Sequence, residues 1–162
     1  MESVEAIRAR YRPECLTTLF VGESAPASGA FFYLGNTSLA RHMRTAMEAA
    51  GLSAGDDFLA DFKGLGWYLD DLVLTPVNDL SRSEREAKCW AARQSLAERI
   101  ADCRPRAIVS LLISIKNIVD AAAVEARSNA PRYAVPFPGN GQQSRFRREI
   151  ALILPKLARR EV

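Results

Sequence analysis

The chain is poor in the side chains that build metal and redox sites. It has one histidine, His42, and three cysteines, Cys15, Cys89 and Cys103, among 162 residues. The cysteines lie far apart and form no CxxC pair. The chain alone therefore assembles neither a thiolate zinc site nor a four-cysteine iron–sulfur cluster. Scattered, unpaired cysteines read as small buried thiols in a reducing cytosol, so the expected compartment is the cytoplasm. Long apolar runs are also missing, since none approaches the roughly 20 residues of a membrane span. The acidic start, Met1 to Glu5, has no apolar core of a secretory signal. No Gly-Lys-Ser/Thr closes a glycine-rich loop and no GxGxxG spacing occurs, which excludes the P-loop and dinucleotide fingerprints. No metal or cofactor is expected, and no membrane partner.

What is present is globular. Apolar residues make up 48% and charged residues 25% of the chain, which excludes disorder and collagen-like repeats. The length suits one domain, and no linker, repeat or low-complexity stretch divides it, so residues 1–162 are read as a single, monomeric domain. The net charge of +3 hides a segregation. Asp56 to Asp79 holds six aspartates and one lysine, and Ser144 to the end holds six basic residues and two glutamates. The basic end, which includes Arg159 and Arg160, reads either as a solvated helix face or as a phosphate-binding one.

Hydrophobic patterning alternates between periods. Strands are expected within Leu16–Val21, Trp67–Leu74, Arg106–Ile113 and Tyr133–Val135, each short, apolar and bounded by Gly or Pro. Helices are expected behind the N-cap Ser3, from Thr37 or Ser38 to Gly51, and from a capping box at Ser83–Glu86 through Cys103. Two more are expected over Lys116–Ala126 and around Phe146–Leu157, where Pro155 bends the last one. Strands separated by helices predict a three-layer α/β/α sandwich around a mostly parallel four-stranded sheet. Ligands in such folds sit beyond the carboxyl ends of the strands. That rule selects the loops after Val21, Leu74, Ile113 and Val135.

The first of these loops runs from Gly22 to Asn36, with Glu23 just past the strand and three adjacent aromatics, Phe31, Phe32 and Tyr33. The rings are either pinned into the core or form a platform for a flat ligand. At the second strand end, Asp70 and Asp71 alternate in direction, so at most one reaches a pocket and the other meets a helix or solvent. The fourth loop, Pro136 to Gln143, brings glycines and backbone amides before a helix start beside Arg145 and Arg147, a pattern suited to an anion or to a plain tight turn. His42 reads as a surface histidine.

A strand followed by Gly22-Glu-Ser-Ala-Pro26, an aromatic-Leu-Gly-Asn helix start, and Pro136-Phe-Pro-Gly139 before a basic helix resemble the uracil-DNA glycosylase superfamily. The likeness covers about Leu16 to Ile150. The resemblance implies an α/β/α fold and hydrolysis of the N-glycosidic bond of a deaminated base in DNA, with DNA as partner. It puts Glu23 at the water-activating position, with Ser24 beside it on the DNA backbone, and Phe32 or Tyr33 against the extruded base. It places Asp71 where the family has a specificity asparagine. It also puts Phe137 in place of a histidine in the loop, Pro138, Gly139, Asn140 and Gly141, that pinches the DNA backbone, with Arg145, Arg147 and Arg148 on phosphates. The departures are specific: no imidazole donor at Phe137, no cluster cysteines, and a carboxylate for the asparagine. Uracil, hypoxanthine and xanthine all stay open as the excised base. Two rival expectations are a DNA-binding module of this fold without catalysis, and a small-molecule enzyme or nucleotide-binding protein on the same scaffold.

Overall fold

The computed structural model describes residues 2–158, so Arg159 and Arg160 lie outside the described residues. The elements run α1 (Val4–Arg10), β1 (Thr18–Gly22), α2 (Ser38–Ala49), α3 (Phe58–Gly64), β2 (Trp67–Asp71), α4 (Arg82–Ala91), α5 (Arg93–Cys103), β3 (Ala107–Ser110), α6 (Lys116–Glu125), β4 (Arg132–Ala134) and α7 (Gln143–Ala158). The strands form one sheet in the order β2-β1-β3-β4, and every neighbouring pair is parallel. All residues of β1, β2 and β3 are buried, which is why none of the three shows the apolar–polar alternation of a half-exposed strand. Helices α5 and α6 pack together, as do α2 and α7. The result is the expected three-layer α/β/α sandwich.

Two helices differ from expectation. Helix α3 was unforeseen because seven residues inside an acidic stretch are too short for a periodic stripe; Asp57 caps it by accepting from the Ala60 N–H, and Phe58, Leu59 and Phe62 are buried. The helix expected to open at Ser83 is capped by Ser81, whose hydroxyl accepts from the Glu84 N–H at 3.3 Å and donates to Glu84 Oε1 at 2.8 Å. That helix is also two: the Ala92 N–H is shared between the carbonyls of Lys88 and Cys89, and α5 starts afresh at Arg93. Pro155, expected to bend the last helix, lies inside α7.

Strand β2 is an edge strand, and an uncovered edge leaves backbone groups without partners. Here the Tyr33 hydroxyl replaces a fifth strand. It accepts from the Leu69 N–H at 2.6 Å and donates to the Leu69 carbonyl at 3.2 Å. Its ring stacks on Tyr11 with centroids 4.8 Å apart, and burial pushes the phenol well above its ordinary pKa. Tyr33→Phe should therefore orphan the buried Leu69 N–H, while the Leu69 carbonyl keeps its bond from Arg8 Nη1, and cost about 1–3 kcal/mol. Urea denaturation checks this; a loss within experimental error would contradict the hydroxyl's role at the edge.

Candidate functional site

A cavity of about 200 Å³ opens beyond the carboxyl ends of β1 and β2. Its lining includes Glu23, Ser24, Phe31, Phe32, Asp71, Asn78, Arg85 and Phe137. An apolar void on the order of 150 Å³ holds one six-membered ring, so this cavity has room for a group of about that size. Glu23, Ser24, Phe32, Asp71 and Phe137 are thus brought together as the sequence suggested. Tyr33 is a correction. It does not line the cavity, because its hydroxyl is committed to the edge of β2. Phe31 and Phe32, each nearly fully buried, supply aromatic wall instead.

Asp71 contributes a carboxylate to the lining. Glycine is required at position 22 for close approach: a Cβ there would lie 2.6 Å from Asp71 Oδ1. Asp71 Oδ2 accepts from Arg8 Nη2 at 2.9 Å, whereas Oδ1 takes no side-chain hydrogen bond among the described residues. Arg8 is only 2% exposed, donates Nη1 to the Leu69 carbonyl at 3.2 Å, and lies 5.0 Å from the Phe31 ring centroid. Burial pushes the Asp71 carboxyl upward in pKa, and the Arg8 guanidinium opposes that shift. Asp70 does not line the cavity; its Oδ2 accepts from Arg99 Nη1 of α5 at 2.7 Å, and its Oδ1 lies 3.7 Å from Nη1 of the same Arg8. The same Arg99 caps the carbonyls of Asp71 and Leu72 at 2.7 and 3.1 Å.

Glu23 is 13% exposed and clasped by Arg85 of α4. Arg85 Nε lies 2.9 Å from both carboxylate oxygens, and Nη2 also bonds Oε1. That bond holds the Arg85 pKa above its ordinary value. The Cys89 thiol donates to Glu23 Oε2 at 3.7 Å. Burial, with the Glu23 charge adding to it, pushes that thiol up to about 11, so at neutral pH it is a weak donor and not a nucleophile. Sequence reasoning missed Arg8, Arg85, Arg99 and Asn78. The first three are separated from their carboxylates by 29 to 63 positions, and no local pattern marks such pairs.

The loop that leads into the basic helix α7 meets the cavity at one residue. Only Phe137 of it reaches the lining; the ring is 43% exposed and sits 3.2 Å from where a side chain at Gly139 would begin. The Ser38 hydroxyl donates to the Pro138 carbonyl at 2.9 Å, tying the loop to the start of α2. Asn140 and Gly141 both have positive φ, 53° and 82°, which makes the turn into α7. Arg145 pairs with Glu149 at 2.9 Å. Arg147 Nε donates to His42 Nδ1 at 3.1 Å, and His42, expected at the surface, is half-buried there. Burial, then Arg147 and Arg41, lower the histidine's pKa. Arg148 is exposed and makes no side-chain bond among the described residues. Pro138, Gly139, Asn140, Gly141 and the three arginines therefore do not line the cavity.

Among the described residues no group of three His, Cys, Asp or Glu side chains comes together, and no helix is long and apolar enough to cross a membrane. No protein-family model matches the chain, and no curated protein matches it.

Arg8→Met leaves the Asp71 carboxylate buried without its cation, for an expected loss of about 3–5 kcal/mol at neutral pH. With its folded pKa raised by burial, Asp71 binds a proton more readily folded than unfolded. The cost is thus present above the folded pKa and fades as pH falls toward the unfolded value of about 4. Denaturant melts at neutral and mildly acidic pH should show the variant's deficit shrinking on acidification; a growing deficit would contradict the assignment.

Proposed function

We propose that this protein is a DNA glycosylase-like hydrolase that cleaves the N-glycosidic bond of a deaminated base. The observation that carries the reading is a ring-sized cavity with phenyl walls, one carboxylate in its lining, Asp71, and a second, Glu23, shared with the next groove. The extruded base enters between Phe31 and Phe32 and the Gly22–Asp71 side. Extrusion costs a few kcal/mol of stacking and pairing, offset by aromatic contact and pocket hydrogen bonds. Asp71 Oδ1 accepts from a ring N–H, which uracil, hypoxanthine and xanthine all present. At the rim, Glu23 lies toward the sugar. The electron pair of the C–N bond leaves with the base, and the carboxylate stabilises the oxocarbenium-like sugar left behind. Water then adds to the anomeric carbon as Glu23 accepts its proton. Arg85 must loosen for this step, and a strand phosphate competing for the guanidinium would release the carboxylate.

A second reading rests on that same clasp. In the unliganded protein the carboxylate that would act on water is bonded to a guanidinium, and Phe137 supplies no proton donor. This favours a nucleic-acid-binding module of the same fold that binds an extruded base without cutting. Oligonucleotides carrying uracil, hypoxanthine or xanthine, followed by alkali cleavage, separate the two. The first reading expects abasic sites from at least one substrate. It also expects Glu23→Gln to lose turnover by at least about a hundredfold with DNA affinity nearly intact. Salt-sensitive binding with no abasic product selects the second. Stabilisation by free nucleosides with no DNA affinity contradicts both and leaves the small-molecule reading.

A further inference from the structure

The Glu23–Arg85 pair is a wall shared by two cavities. Behind it lies a groove of about 510 Å³ between α4 and the turn that opens α6. It differs in kind from the ring-sized cavity. Besides the shared pair, Arg82, Trp90, Ser114 and Asn117 line it. None of these four side chains makes a hydrogen bond within the described residues, and Trp90 is 41% exposed. Unspent hydrogen-bonding groups beside an open indole are the ingredients of a nucleotide platform: the ring stacks on a base, the polar groups meet sugar and phosphate, and every base has a π-face. Arg82 and Arg85 on one helix face supply the cations for the phosphate.

We infer that this groove holds the nucleotide neighbouring the one whose base enters the cavity, with Trp90 stacked on the neighbouring base and the linking phosphate at Arg85. The inference rests on the glycosylase-like reading of the first cavity. It adds where on the protein the adjacent nucleotide of that strand is held. It also gives the clasp a role, because the phosphate that seats the neighbour draws Arg85 away from Glu23. Recognition of the neighbour is by stacking and therefore tolerant of its identity.

Tryptophan fluorescence tests this directly. The chain has two tryptophans, and Trp67 is fully buried, so ligand-accessible emission belongs to Trp90. The probe is a five-nucleotide single strand whose central uracil, hypoxanthine or xanthine nucleotide carries a 2′-fluorine. The fluorine withdraws electrons from the sugar and blocks cleavage. The matching fluorinated nucleosides serve as comparison. The strand should quench Trp90 and bind at least about tenfold tighter than its nucleoside. Trp90→Ala should remove most of that gain without changing nucleoside affinity, and Trp90→Phe should restore it. Trp90 is a surface side chain, so both variants should fold. A strand that binds without quenching, fails to bind, or keeps its full gain in Trp90→Ala overturns the inference, while abasic product from cleavable strands would leave the glycosylase reading standing. Quenching with a Trp90-dependent gain but no abasic product would uphold the subsite and remove the enzymatic reading.

Discussion

Two adjacent aspartates end the edge strand of the sheet, both are buried, and the site's architecture follows from how their charges are met. A buried carboxylate without a partner is too costly to keep ionised. Asp71 is answered by Arg8 from α1, and Asp70 by Arg99 from α5 together with the same Arg8. The two arginines also take backbone carbonyls of Leu69, Asp71 and Leu72, so they tie two helices, α1 and α5, to the end of one strand. Because Arg8 occupies only one oxygen of Asp71, the other is left toward Gly22 and the cavity. The cavity's polar lining is thus a by-product of charge compensation in the core.

Around that lining the apolar parts are ordinary core, opened at one end. Phe31 and Phe32 belong to the hydrophobic cluster that includes Phe58, Phe62 and the strand residues, and a cavity wall made of them is held rigid by its other contacts. Rigidity matters for any flat ligand, since a preformed slot loses little order on binding. The polar rim is different. Glu23 and Arg85 hold one another at the boundary between two cavities, and only Arg85 of the pair is substantially exposed. A ligand with a negative group is therefore the natural means of separating them.

The sheet and its layers were legible because buried parallel strands and amphipathic helices write their periods locally. Ala107–Ser110 and Leu39–Met47 could be read from a dozen neighbouring letters. Glu23, Asp71 and Phe137 were placed by motif and strand-end position, and all three meet at one cavity. What could not be read was partnership across the chain. Tyr33 looked equivalent to Phe32 because nothing in sequence says that one hydroxyl completes a sheet edge. Arg8 sits on a short helix whose neighbours suggest solvent, yet it is among the most buried charges in the molecule. Arg147 looked free until the fold brought His42, 105 positions away, beside it.

The central claim is that the cavity between Phe31, Phe32 and Asp71 receives a nucleobase. Crystals of the protein soaked with free uracil, hypoxanthine or xanthine test it most directly. The account predicts density for one ring lying against the phenyl walls, with a ring N–H within hydrogen-bond distance of Asp71 Oδ1. Density for ordered water alone at high ligand concentration, or phenyl rings collapsed into the space, would contradict it.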